Sequence, residues 1–211
     1  MKSLLPILLF LFFACQEKHQ TTAPIVHTIA TEQTINVNER LKQKAAEAFV
    51  FCKKENFDAV HCLLMDTKVH SGKNRLFLWD FKKSKVIEEG LVSHGCCGHP
   101  WGGTETKTAV QFSNVSESHC SSVGKFALQD RGYSNWGINV NYKLHGLDST
   151  NSHAFKRTIV FHSWEMVGEK ETYPEGTPEG WGCPAVSNEF LRKLDPILKK
   201  KKKKVLFWIY E

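Results

Sequence analysis

The sequence predicts a mainly β fold with peripheral helices, and three observations carry that expectation. Short apolar runs alternate with turn residues, only two stretches carry a helical period, and the closing segment VLFWIYE is a buried strand. No internal repeat is present, and predicted strands outnumber predicted helices, so the folded part is about one domain.

Each element has its own justification. Asn38 caps a helix in which Glu39 favours the first turn and Leu41, Ala45, Ala48, Phe49 and Cys52 share one face. This helix, over residues 37–56, is expected to pack on a domain spanning 57–211. The runs AVHCLLMDT, RLFLWDF and KVIEEGLVSH, separated by HSGKN and KKS, predict an antiparallel β-meander. A Gly- and His-rich loop, HGCCGHPWGGTET, follows. The passage FSNVSESHCSSVGKFALQDRGYSN is then polar, with only brief strand-like segments. Long loops of this kind often carry function. RTIVFHSW is again a strand, and GCPAVS is extended up to a helix, NEFLRKLDPILK, capped by Ser187 or Asn188.

The first residues, MKSLLPILLFLFFAC, form an export signal too short to span a bilayer as a stable helix. Ala14-Cys15 closes the apolar run in a pattern that resembles a bacterial lipoprotein signal, which implies lipid on Cys15 and a periplasmic or cell-envelope location. Cleavage without lipid is the alternative. Residues 16–36 are polar, Thr-rich and aperiodic, and are expected to be a flexible tether between the segment 1–15 and the folded body.

The net charge of +6 equals the run of six lysines from Lys199 to Lys204, so the rest of the chain balances to zero. No basic stripe interleaved with aromatics lies elsewhere, which argues against a nucleic-acid partner. The lysines themselves are expected to be a solvated turn. Seven cysteines in an exported chain suggest disulfides, yet with Cys15 lipidated and Cys183 free, five remain and one thiol is left over. HGCCGH together with His119-Cys120 offers enough nitrogen and sulfur for tetrahedral zinc. Adjacent Cys96 and Cys97 seldom both turn to one ion, so a disulfide from one of them to Cys120 is the simpler expectation, and no metal is assigned.

The segment EGWGCPAVS is the most informative. A cysteine nucleophile needs a neighbour that lowers its pKa or takes its proton, most often a histidine. Gly182 permits close approach of an acyl group, Pro184 stiffens the exit, and amide N–H groups near Cys183 are candidate oxyanion donors. RTIVFHSW, a polar loop and then GWGCPAVS together resemble the L,D-transpeptidase catalytic domain family, in the branch with a GCPA-type nucleophile turn. His162 precedes Cys183 by 183 − 162 = 21 residues, as the family's base precedes its nucleophile by about twenty. The order and texture of RLFLWDFKKSKVIEEGLVSHG, FSNVSESHCSSVGKFAL and YKLHGLDSTNSHAFKRTIVFHS extend the likeness over residues 60–211.

The resemblance implies an L,D-transpeptidase-like β-sandwich or barrel and an enzyme acting on peptidoglycan stem peptides. Cys183 would form the thioester, His162 would be base and then acid, and Gly182 and the Cys183 amide would border the oxyanion. No cofactor is needed. Ser163, Trp164, Trp181 and Trp101 are the candidate substrate-binding residues. The wider family commonly has Ser-His-Gly-Cys before a polar or basic residue, where this chain has Gly180-Trp181-Gly182-Cys183-Pro184, and Ser163 replaces glycine after His162. These departures leave open transpeptidation, carboxypeptidation or another amide hydrolysis. His94 and His145 also precede glycine, and are expected to be structural or to line the cleft. The competing class is a non-catalytic wall-binding or zinc-stabilised lipoprotein of the same fold.

Overall fold

The structure, a computed structural model, describes residues 25–211, with side chains from Val37 onward. The signal segment, Cys15 and the first part of the expected tether lie outside the described residues. Helix α1 runs from Ile25 to Lys54 and so begins within the stretch read as tether. No glycine or proline interrupts it over that length. Two compact units divide at Asn36, and Val37–Glu211 is the one described below.

Eight strands form one sheet in the order β3-β2-β1-β8-β4-β5-β6-β7. They are β1 (His61–Asp66), β2 (Leu76–Asp80), β3 (Lys85–Gly90), β4 (Gly124–Tyr133), β5 (Val140–Gly146), β6 (Val160–Ser163), β7 (Ala185–Val186) and β8 (Val205–Tyr210). The first three make the expected antiparallel meander. β8 inserts between β1, to which it is parallel, and β4, to which it is antiparallel. Helix α2 (Asn188–Leu198) is capped by Ser187, whose Oγ accepts the Phe190 N–H at 3.1 Å.

Burial on both faces explains the unbroken apolar runs Cys62–Met65 of β1 and Val205–Tyr210 of β8, whose alternate residues enter different cores. Leu63, Met65, Val205, Phe207 and Ile209 face one core, shared with Phe190, Leu191, Leu194 and Leu198 of α2. Cys62, Leu64, Leu206 and Tyr210 face the other, which Leu41, Ala45, Ala48 and Cys52 of α1 cover. Phe49, expected on that helix face, is 41% exposed and packs instead on Phe81, with ring centroids 5.1 Å apart.

The polar passage holds more structure than expected, because β4 is ten residues long and pairs with β5 in a hairpin. Only Phe126, Ala127 and Leu128 of β4 are buried, and a bulge at Asp130, whose φ is +50°, breaks the alternation. A strand half in solvent and bulged midway has little apolar periodicity to detect.

Candidate active site

Cys183 lies two residues before β7 and beside β6. β6 and β7 run parallel, with His162 opposite Ala185, so Cys183 is about 7 Å along the ladder from His162's own partner. Its sulfur accepts the Val160 N–H at 3.4 Å and lies 3.8 Å from the Thr158 carbonyl. No hydrogen bond joins His162 to Cys183 in this structure. The sequence-predicted pair therefore lies at neighbouring positions, His162 in β6 and Cys183 just before β7, without a hydrogen bond between them. Hydrogen bonds of unliganded sites are often long and tighten with substrate.

His162 is buried, and its Nδ1 lies 2.9 Å from the Ser163 carbonyl oxygen. A carbonyl only accepts, so Nδ1 carries the proton and Nε2 is left with a lone pair. Burial lowers the imidazole pKa from its usual value, with the Ser163 carbonyl and Glu165 acting in the opposite sense. Burial raises the Cys183 thiol, against the Val160 N–H and the charge of Arg157. The resting pair is thus a neutral thiol and a neutral base.

The nucleophile turn is held closely. Gly182 has φ +100°, and a Cβ there would sit 2.5 Å from the Cys120 carbonyl oxygen, so only glycine fits. Ser121 Oγ donates to the Gly182 carbonyl at 3.1 Å. Ser93 exchanges backbone and hydroxyl bonds with Ala185. Cys97, rather than Cys96, is joined to Cys120 in a disulfide. Cys52, Cys62 and Cys96 are buried free thiols, and burial pushes Cys52 up to about 12. Cys183 is the one free thiol with partial exposure among the described residues.

Behind the turn lies a buried polar network that the sequence did not suggest. The Arg75 guanidinium donates to His94 Nδ1 at 2.8 Å and to the Val92 carbonyl at 2.9 Å. His94 Nε2, which then carries the ring proton, meets Thr106 Oγ1 at 2.7 Å, and the Thr106 N–H donates to Glu179 Oε1 at 2.6 Å. Burial lowers Arg75 to about 9 and raises the Glu179 carboxyl. Gly180 N–H donates to the His94 carbonyl and Cys96 N–H to the Gly180 carbonyl, each at 2.8 Å. His94, expected to be structural or to line the cleft, is wholly buried in this network. His145, the other His-Gly histidine, pairs with Asp130 and stacks on Phe155.

Four of the six tryptophans converge beside the turn. Trp101 lies 5.0 Å from Trp164, 6.2 Å from Trp136 and 6.3 Å from Trp181, centroid to centroid. Trp101, Trp136 and Trp181 are exposed, whereas Trp164 is buried beneath them. Ser163, expected at the cleft, is wholly buried: its Oγ accepts the Ile138 N–H at 3.0 Å, which anchors the β4–β5 loop.

A family model for the L,D-transpeptidase catalytic domain matches residues 33–210. The chain belongs to the L,D-transpeptidase catalytic domain family. The general enzyme class of that family is an acyl-transferring catalytic domain. No curated protein matches the sequence. Solved structures similar to this L,D-transpeptidase domain include that of Bdellovibrio bacteriovorus Bd1075, with 16% identity and a TM-score of 0.43 over 74% of this chain and 49% of that one. Another is the helical cell shape determining protein Pgp2 from Campylobacter jejuni in a K307A form, with 13% identity and a TM-score of 0.46 over 72% and 47%. A third is the L,D-transpeptidase from Xylanimonas cellulosilytica, with 13% identity and a TM-score of 0.40 over 71% and 60%. The chain spans about half the length of the first two.

Proposed function

We propose that this protein is an exported cysteine L,D-transpeptidase that acts on peptidoglycan stem peptides from the cell envelope, tethered by lipid on Cys15. The observation that carries the reading is the environment of Cys183. It is a partly exposed free thiol on a glycine turn beside the strand that bears His162, whose Nδ1 is committed and whose Nε2 is free to take a proton.

In the first half-reaction the Cys183 proton passes to His162 Nε2, directly or through one water, and the sulfur attacks the carbonyl carbon of an L,D-configured peptide bond. The N–H groups of Gly182 and Cys183 are the backbone donors assigned to the oxyanion, as their place in the nucleophile turn suggests. The C–N bond breaks as His162 returns its proton to the leaving amine, and a thioester remains. In the second half an acceptor amine, or water, gives a proton to His162 and attacks the thioester carbonyl carbon; the C–S bond breaks, and His162 passes the proton to the departing sulfur, regenerating the thiol. Trp101 and Trp181, exposed beside the turn, are the faces against which the stem peptide or its sugar packs.

Incubation with defined tetrapeptide muropeptides, followed by mass analysis, separates cross-linking from trimming. A carbapenem is expected to add its mass at Cys183, an adduct abolished by Cys183→Ala and reduced at least tenfold in rate by His162→Ala. Absence of both turnover and adduct in the wild type, with wall binding retained in all three proteins, would replace this reading with adhesion.

A further inference from the structure

Arg157 stands out among the arginines of the described residues. Arg40, Arg131 and Arg192 each pair with a carboxylate within 4 Å, and buried Arg75 belongs to the network with His94 and Glu179. Arg157 has no such partner. Its guanidinium is half-buried and gives four hydrogen bonds, all to neutral oxygens: Nη1 to the Ser113 carbonyl and Ser122 Oγ, both at 2.7 Å, and Nη2 to the Cys120 carbonyl at 2.7 Å and Ser118 Oγ at 3.2 Å. A half-buried cation whose hydrogen bonds all go to dipoles has no paired counter-charge, the exposed Glu117 acting on it only at a distance beyond ion-pair contact.

Two contacts connect this cation to the nucleophile. The Cys120 carbonyl that it grips is the group against which Gly182 is pressed. The backbone just after it, Thr158 to Val160, holds the Cys183 sulfur through the Val160 N–H and the Thr158 carbonyl. Thr158 adopts φ +58°, a conformation a β-branched residue rarely takes, which turns the chain from Arg157 into β6 at the sulfur.

From these contacts we infer that Arg157 is a positioning and charge-supplying residue for the Cys183 nucleophile: it fixes the Ser113–Ser122 loop against Gly182 and is the missing partner of the thiolate that forms during the reaction. The inference rests on the proposed role of Cys183 as nucleophile. Charge is conserved in the step it serves: when the Cys183 proton moves to His162, the site acquires an imidazolium and a thiolate, and Arg157 stabilises the latter. Other titratable groups around this region are Glu117, an exposed acid on the loop that faces Arg157, His119, which adjoins Cys120 and stacks on Trp181, and His162, two residues beyond Val160 in β6. Mutual attraction between Arg157 and Cys183 favours the charged form of each.

The test follows alkylation of Cys183 by iodoacetamide as a function of pH in the folded protein, with Cys183→Ala as blank to subtract any reaction at Cys15, since the other free thiols among the described residues are buried. Arg157→Met is expected to raise the midpoint by on the order of one pH unit and to slow alkylation at neutral pH severalfold. Arg157→Lys, which keeps the charge but not the four bonds, is expected to stay within a few tenths of a unit of wild type while losing thermal stability. A role in loop packing alone predicts the opposite pattern: both variants melt early and neither moves the midpoint, and that result overturns the inference. Should Arg157→Met fail to fold, a Lys variant with a midpoint displaced by a full unit overturns it equally. A wild-type thiol that does not alkylate at all would instead remove the nucleophile reading beneath it.

Discussion

At the residue scale, the chemistry of the site follows from what each polar atom is bonded to. His162 is oriented by one carbonyl, and burial keeps its imidazole neutral below the ordinary histidine range. The acid limb of a kcat/KM profile is therefore expected below a pH of about 6.5, the unperturbed histidine value. A limb at or above that value would show that the ring is better solvated than its surroundings suggest. Burial raises the Cys183 thiol, so the anion grows as pH rises, and alkylation should climb through the alkaline range. A plateau beginning in mild acid would mean a preformed thiolate–imidazolium pair and no need for a general base. Gly182→Ala should lower kcat at least tenfold, because a left-handed φ and a carbonyl at 2.5 Å leave no room for a methyl group. That Cys183 lies beside the strand of His162 was legible in the sequence because the flanks and spacing of the two are local. Arg157 was not, since its partners are carbonyls and hydroxyls 35 to 44 residues away.

At the element scale, the hairpin β4–β5 and helix α2 are joined by one polar cluster. Arg131 donates twice to the Asp195 carboxylate, at 2.7 and 3.1 Å, and Tyr142 donates to it at 2.6 Å. The Arg131 hydrogen bonds are the main cause that holds the Asp195 carboxyl below the ordinary range. A depressed folded pKa means that the stabilisation is present above the unfolded value, about 3.9, and is lost as pH falls through the folded one. Asp195→Asn is expected to cost about 2 kcal/mol at neutral pH in denaturant unfolding, and the gap to wild type should close in acid. A gap independent of pH would assign the loss to packing. Phe207, wholly buried against Phe161 in the main core, is expected to cost about 3–5 kcal/mol as alanine. The meander, β8 and the cap at Ser187 were readable from apolar runs and turn chemistry. The β4–β5 hairpin was hidden because β4 buries only three adjacent residues before its bulge.

At the scale of the whole molecule, the sheet separates two cores, and the candidate active site is carried at the β6–β7 end by loops that the disulfide and the Arg75–His94–Thr106–Glu179 network bind together. Such a network strings distant segments into one unit, which no local pattern announces. Position in the sheet also sets the order of assembly. β8, made after every other strand, is the only neighbour that β1 and β4 share. Until Val205–Tyr210 has left the ribosome, the nascent chain can form only two unjoined half-sheets, whose β1 and β4 edges bare the hydrogen-bonding groups on which unwanted strand pairing starts.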